Sequence, residues 1–150
     1  MMRTGKVYLA GSCDSNDRTR MKNIAAFLRK KGLIVYCPFD FKVPNAWDMT
    51  QELWALKVFK TDIDQIKNCD MMVVISTGRE STAGTNWEQG YAFGIGKPVY
   101  VFQVTDKPTS VMTFGGCTNF WNSSEECIYD QLEAWVHMQI SPGECITCLT

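Results

Sequence analysis

KVYLAGSCDSNDRTRMKNIAAFLRKKGLIVYC, residues 6–37, decides the fold. It opens on a short apolar run that stops at Gly11, as a buried strand does before a turn. Over residues 16–31 the apolar Met21, Ile24, Ala25, Phe27 and Leu28 recur at helical spacing, and Gly32 supplies the stop. LIVYC, residues 33–37, is β-branched and apolar again until Pro38 ends it. The order is strand, loop, helix, strand.

The alternation continues outward. FDFKVPNAWD, residues 39–48, is polar, aromatic and broken by Pro44, so it reads as a loop into a helix capped near Asp48, with Gln51 three residues on. That helix is expected to reach Asn68 with Leu56, Phe59, Ile63 and Ile66 as its inner stripe. MMVVIS, residues 71–76, is a third strand, residues 85–96 a helix, and KPVYVFQV, residues 97–104, a fourth strand. A fifth short strand is placed near 118–121. A last helix over 124–137 is capped by Ser124 and turns Ile128, Leu132, Trp135 and Val136 inward. Residues 139–150 read as a tail. Apolar strands alternating with helices mean a sheet covered on both faces. The expectation is one α/β domain over 1–150: a doubly wound sheet of about five mostly parallel strands, Rossmann- or flavodoxin-like, with helices on both faces.

Composition narrows the function classes. Apolar residues make up 45% and charged residues 21%, which supports a packed globule and argues against disorder. Fifteen basic and sixteen acidic residues give a net charge of -1, so no global field draws the chain to nucleic acid or an anionic membrane. A small neutral or singly charged ligand fits better. The first residues lack a signal-peptide apolar core, and no apolar run approaches the roughly 18 residues that span a bilayer. Cytoplasmic residence is the resulting expectation. The seven cysteines are odd in number and come without a secretory signal, so reduced thiols are expected. Cys13, Cys37, Cys69 and Cys117 lie beside apolar stretches, where free cysteine behaves as a small hydrophobe. Cys145 and Cys148 form a lone C-x-x-C, and His137 is the only histidine, so a tetrahedral zinc site lacks ligands. No metal and no cofactor is expected.

In open α/β sheets ligands bind beyond the carboxyl ends of the strands, here the loops starting at Gly11, Pro38, Thr77 and Gln103. GSCDSNDR, residues 11–18, is a glycine turn into a helix N-terminus, where free N–H groups favour a ligand oxygen or an anion, although a plain turn and cap accounts for it as well. In STAGTNWEQGYAFGIGKPVYVF, residues 81–102, Thr85 and Glu88 match a capping box, in which Glu88 would only bond back to the backbone of Thr85. Asp62 falls on the flank of the Phe59, Ile63 and Ile66 stripe while Asp64 points away, yet Asp62 also fits an ordinary surface acid. Two carboxylates at one sheet edge would divide glycosidic chemistry, one attacking the anomeric carbon while the other protonates the leaving group.

With these residues in view, the chain resembles the nucleoside 2-deoxyribosyltransferase family over roughly residues 7–121. VYLAGS resembles the family's first strand and carries Tyr8; TDIDQIKNCDMMVV resembles its helix and third strand and carries Asp62; GTNWEQGYAFGIGKPV resembles its nucleophile helix and carries Glu88. The resemblance implies that Glu88 attacks C1′ of a nucleoside, that Tyr8 holds Glu88 by a hydrogen bond, and that Asp62 protonates the departing base and deprotonates the incoming one. Without it, Tyr8 reads as a strand aromatic in the core. The resemblance further implies substrate contacts at Gly11, Ser12, Asp40, Lys42, Thr82, Gly84 and Asn119. SVMTFGGCTNF looks like the family's late loop, from which an Asn, here Asn119, reaches the neighbouring subunit's site, so a homo-oligomer is implied; an Asn in a turn before a strand is the plain reading.

The chain departs from the transferase pattern in two places, and from that of a related group in a third. Thr82, six residues before Glu88, stands where the transferases carry an Asp that receives the sugar hydroxyls. The related deoxynucleoside 5′-monophosphate N-glycosidases place a hydroxyl residue there, which avoids repelling a phosphate. Their first loop resembles GSCDSNDRT, yet Asp14 stands where they tend to carry a basic residue, with Arg18 and Arg20 close by. Lys42 replaces a base-contacting Gln. Base exchange on nucleosides or deoxynucleosides, with transfer of the deoxyribosyl group, is the leading expectation, and hydrolysis of nucleoside or deoxynucleoside 5′-monophosphates the alternative. A nucleotide sensor without turnover is the reading from another class.

Overall fold

A computed structural model of the chain describes residues 5–140. Strands β1 (Lys6–Gly11), β2 (Ile34–Tyr36), β3 (Met71–Ser76), β4 (Val99–Gln103) and β5 (Asn119–Asn122) form one sheet in the order β2-β1-β3-β4-β5. Every neighbouring pair is parallel. Between them run α1 (Arg18–Lys30), α2 (Gln51–Asn68), α3 (Ala83–Gly94) and α4 (Val111–Gly115), and α5 (Ile128–Ile140) follows β5. This is the flavodoxin-like order of a doubly wound α/β sheet.

Successive strand residues point to opposite faces, so the apolar runs feed two cores at once. Val7, Leu9, Val73, Ile75 and Phe102 pack on Met21, Ile24 and Leu28 of α1 and on Leu132, Trp135 and Val136 of α5. Tyr8, Ala10, Met72, Val74, Val99 and Val101 face the other way, against Ile66 of α2 and Ala92 of α3. None of the described helices is long and apolar enough to cross a membrane.

Three expectations are corrected. First, α2 is capped by Thr50, whose hydroxyl accepts the Leu53 N–H at 3.2 Å, and not by Asp48, which closes a separate turn over Ala46–Asp48. Second, the stripe of α2 turns inward only at its end: Ile66 is buried, whereas Leu56 and Phe59 are 65% and 51% exposed. An 18-residue helix is about 27 Å long, more than the strands it covers, so its first half overhangs the carboxyl edge of the sheet. Third, α5 starts at Ile128, after a turn in which the Ser124 hydroxyl accepts the Cys127 N–H, and it runs to Ile140, so the expected tail begins inside a helix. Cys145 and Cys148 lie outside the described residues. The single turn of α4 leaves no period in the sequence, since Val111, Met112 and Phe114 are all exposed.

Candidate active site

The chain crosses from β1 to β2 on one side and returns to β3 on the other, and this switch point leaves a crevice at the carboxyl ends of the strands. On the α2 and α3 side, a cavity of about 520 Å³ is lined by Trp54, Phe59, Asp62, Ile66, Gly84, Trp87 and Glu88 among others. Asp62 and Glu88 thus face one cavity from two helices. Asp64 is exposed and borders a different groove.

The local start of α3 decides what Glu88 does. Thr82 is the N-cap: its hydroxyl accepts the Thr85 N–H at 3.3 Å and meets the Thr85 hydroxyl at 2.8 Å. The helix begins at Ala83, two residues earlier than expected, so Thr85 is buried inside it and the Thr85–Glu88 capping box does not form. Glu88 is left without a capping role. Gly84 lies one turn before it, where a Cβ would stand 3.9 Å from Glu88 Oε1.

Tyr8, fully buried in the middle of β1, stands behind this cavity, next to Glu88. Its hydroxyl and Glu88 Oε2 are both buried, and neither has a partner in hydrogen-bond geometry. The Tyr8 hydroxyl is still close enough to pull the Glu88 pKa down. The two side chains are therefore close neighbours without a formed hydrogen bond. Burial dominates over Tyr8, and the charge of Asp62 adds to it, so the Glu88 carboxyl is pushed up to about 7. Burial likewise raises Asp62, opposed by a hydrogen bond from Tyr36, whose hydroxyl donates to Asp62 Oδ1 at 2.8 Å. The phenol of Tyr8 is held well above its usual range, by burial first and then by Glu88 and Asp62.

The other sequence-predicted residues are less concentrated. Gly11 ends β1 and Ser12 follows it; Ser12 is buried, and a side chain at Gly11 would meet Met21 and the Ile75 carbonyl. Asp40 is ion-paired with Arg29 at 2.8 Å, and Lys42 is exposed on the following loop; neither lines the cavity. Asn119 opens the edge strand β5 and is exposed. It shares a sheet face with Trp121, which stacks on Phe102 against α5, so it points away from the Glu88 cavity of its own chain. Arg20 is engaged by Asp17 at 2.8 Å and by Glu125.

Sequence reasoning missed Tyr36, Trp54 and Trp87. Tyr36 was legible in principle, because a parallel β1–β2 register places it beside Tyr8, with ring centroids 5.4 Å apart. Trp87 stacks on Tyr91 and meets the edge of Phe59, each at 5.4 Å. Among these aromatics the cavity wall is apolar, suited to a flat heteroaromatic ring.

Solved structures of known proteins share this fold. A 2-deoxyribosyltransferase of Bacillus psychrosaccharolyticus is 25% identical with a TM-score of 0.74, over 87% of this chain and 95% of its own. The CMP N-glycosidase of Clostridium botulinum shares the fold at 21% identity and a TM-score of 0.63, over 87% of this chain and 98% of its own. A conserved protein of Enterococcus faecalis does so at 19% and 0.65, over 89% and 99%. No curated protein matches the sequence significantly. The family model described as nucleoside 2-deoxyribosyltransferase matches residues 7–133. On that match, which spans most of the chain and includes Tyr8, Asp62 and Glu88, the chain belongs to the nucleoside 2-deoxyribosyltransferase family of enzymes.

Proposed function

We propose that the protein cleaves the N-glycosidic bond of a deoxynucleoside through a covalent intermediate on Glu88 and passes the deoxyribosyl group to another nucleobase. The observation that carries this reading is the pair of half-buried carboxylates, Glu88 and Asp62, facing one apolar cavity with Tyr8 beside them. In the first half-reaction a Glu88 oxygen bonds to C1′ while the C1′–N bond breaks, and Asp62 gives its proton to the departing base nitrogen. In the second, the nitrogen of an incoming base attacks C1′, the ester bond returns its electrons to Glu88, and Asp62 takes the proton of that base. Tyr8 donates toward the carboxylate each time it reforms.

Support for a nucleoside over a nucleotide comes from the first loop. Arg20 is already paired with two acids and Asp14 is exposed in the loop, which leaves Arg18, at the start of α1, as the one arginine of this segment outside an ion pair among the described residues. The start of α3 favours the second reading, hydrolysis of nucleoside 5′-monophosphates: with Thr82 as its cap, no carboxylate stands there to bind sugar hydroxyls or repel phosphate. Incubation with deoxynucleosides, with and without a second free base, and in parallel with deoxynucleoside 5′-monophosphates separates these. New nucleoside is the expected product. Free base from monophosphates alone would replace the proposal by the hydrolase, and tight binding without products would replace it by a sensor.

A homo-oligomer completes the proposal. Asn119 faces away from its own cavity, while Trp54, Phe59 and Trp87, which line the cavity, and Leu53 and Leu56 on α2 are exposed apolar groups suited to cover by another subunit. If Asn119 of one copy serves the site of another, Glu88→Ala and Asn119→Ala are each impaired, but their co-expressed mixture regains activity because a mixed pair assembles one intact site. No gain over the better single variant would remove the shared site.

A further inference from the structure

We infer that Tyr36 is the positioning residue of the proton donor, fixing the Asp62 carboxyl by its hydroxyl so that Oδ2 alone is left to exchange a proton with the base. The inference rests on the reading of Asp62 as that donor.

Tyr36 is the last residue of β2 and stands in register with Tyr8. Its ring leans on Tyr8 at 5.4 Å and an interplanar angle of 38°, so the phenol is braced by the sheet before it reaches the helix. From there its hydroxyl donates to Asp62 Oδ1 at 2.8 Å, tying β2 to α2. Among the described residues Oδ2 takes no side-chain hydrogen bond, and Asp62 lines the cavity it shares with Glu88. A carboxyl with one oxygen held and the other free has its rotamer set and its reactive atom chosen.

Tyr36 fits both halves of the reaction. Oδ1 keeps a lone pair whether Oδ2 is protonated or not, so the same O–H···O contact holds the acid and the base form. It holds the charged form more strongly, which opposes the burial that favours the neutral acid. The groups facing Asp62 are Glu88 from α3, Tyr8 from β1, Tyr36 from β2 and Cys13 from the loop after β1. None of these is cationic, so the Tyr36 hydroxyl opposes burial without help from a positive charge. It keeps the carboxyl able to give a proton and to take one back.

Tyr36→Phe keeps the ring on Tyr8 and removes only the donor. With the Asp62 carboxyl carbon observed by NMR, its titration is expected to move to higher pH in the variant, because the lost bond favoured the carboxylate. In steady state kcat is expected to fall about 10-fold for a poorly leaving base and less for a readily leaving one, with KM within about 3-fold. An unchanged Asp62 titration, with or without a loss of thermal stability, would make Tyr36 a packing residue and overturn the inference. The titration is read without turnover, so it stands apart from the proposed reaction: a shifted titration in a protein that turns over nothing sinks the reaction and keeps the Tyr36–Asp62 tie.

Discussion

Glu88→Gln is expected to lose at least about 10³-fold in turnover and yet, at pH 8, to be more stable than the parent chain. Both effects come from one placement. The carboxyl sits against the sheet between Tyr8 and the cavity, and burial moves it from an ordinary 4.5 to about 7. A carboxyl raised on folding is bound by its proton more tightly in the folded chain, so its contribution is fully favourable only below about 4.5 and is lost as the pH climbs to about 7. Above that, a buried charge remains. Glutamine of nearly the same shape carries no such charge, so the variant gains up to about 3 kcal/mol at pH 8 and little at pH 4. Thermal unfolding of both proteins across this range checks it: the difference in Tm should open as the pH rises. A variant less stable at pH 8 than at pH 4 relative to the parent would mean Glu88 is not a strained buried acid. The same position predicts that kcat/KM of the parent falls below about pH 7, where the attacking oxygen is protonated.

Asp62→Asn is expected to slow base departure by about 10² to 10⁴-fold, and unevenly. The amide oxygen still accepts from Tyr36, so the side chain keeps its place at the cavity while losing its transferable proton. Bases that leave readily without protonation should suffer least and poor leaving bases most. Binding should survive, since the apolar wall formed by Trp54, Phe59 and Trp87 is untouched. Rates for a series of deoxynucleosides ordered by leaving ability test this: a steepened dependence on the leaving base is the expected pattern. An equal loss for every base would assign Asp62 to binding, and no loss would return it to an ordinary helix-surface acid.

The strands were legible because parallel, doubly covered strands are continuous apolar runs, and KVYLAG and MMVVIS carry no competing pattern. The helix ends were less so. At α2 two capping candidates stand two residues apart, and only the turn over Ala46–Asp48 disqualifies Asp48 in favour of Thr50. At α3 the same ambiguity bears on chemistry: reading Thr85 as the cap makes Glu88 a backbone partner, whereas the cap at Thr82 moves Glu88 to the second turn and into the cavity. Spacing along the chain could not choose, since both threonines precede a helical pattern. The outward stripe of α2 misled for another reason. Periodicity shows which residues share a face but not how far the sheet beneath them extends, so Leu56 and Phe59 were assigned to the core when they overhang it. Tyr36 was passed over as a strand residue because its partner, Asp62, lies 26 positions away on another element.

The attack of Glu88 on C1′ is the centre of this account, and the most direct test is the mass of the protein itself during reaction. Incubated with a deoxynucleoside in the absence of a second base, quenched in acid and digested, the parent chain should show one added deoxyribosyl group on the peptide containing Glu88. The addition should vanish when an acceptor base is supplied and be absent from Glu88→Gln. First-turnover release of base with no added mass, or an adduct on any other residue, would contradict it.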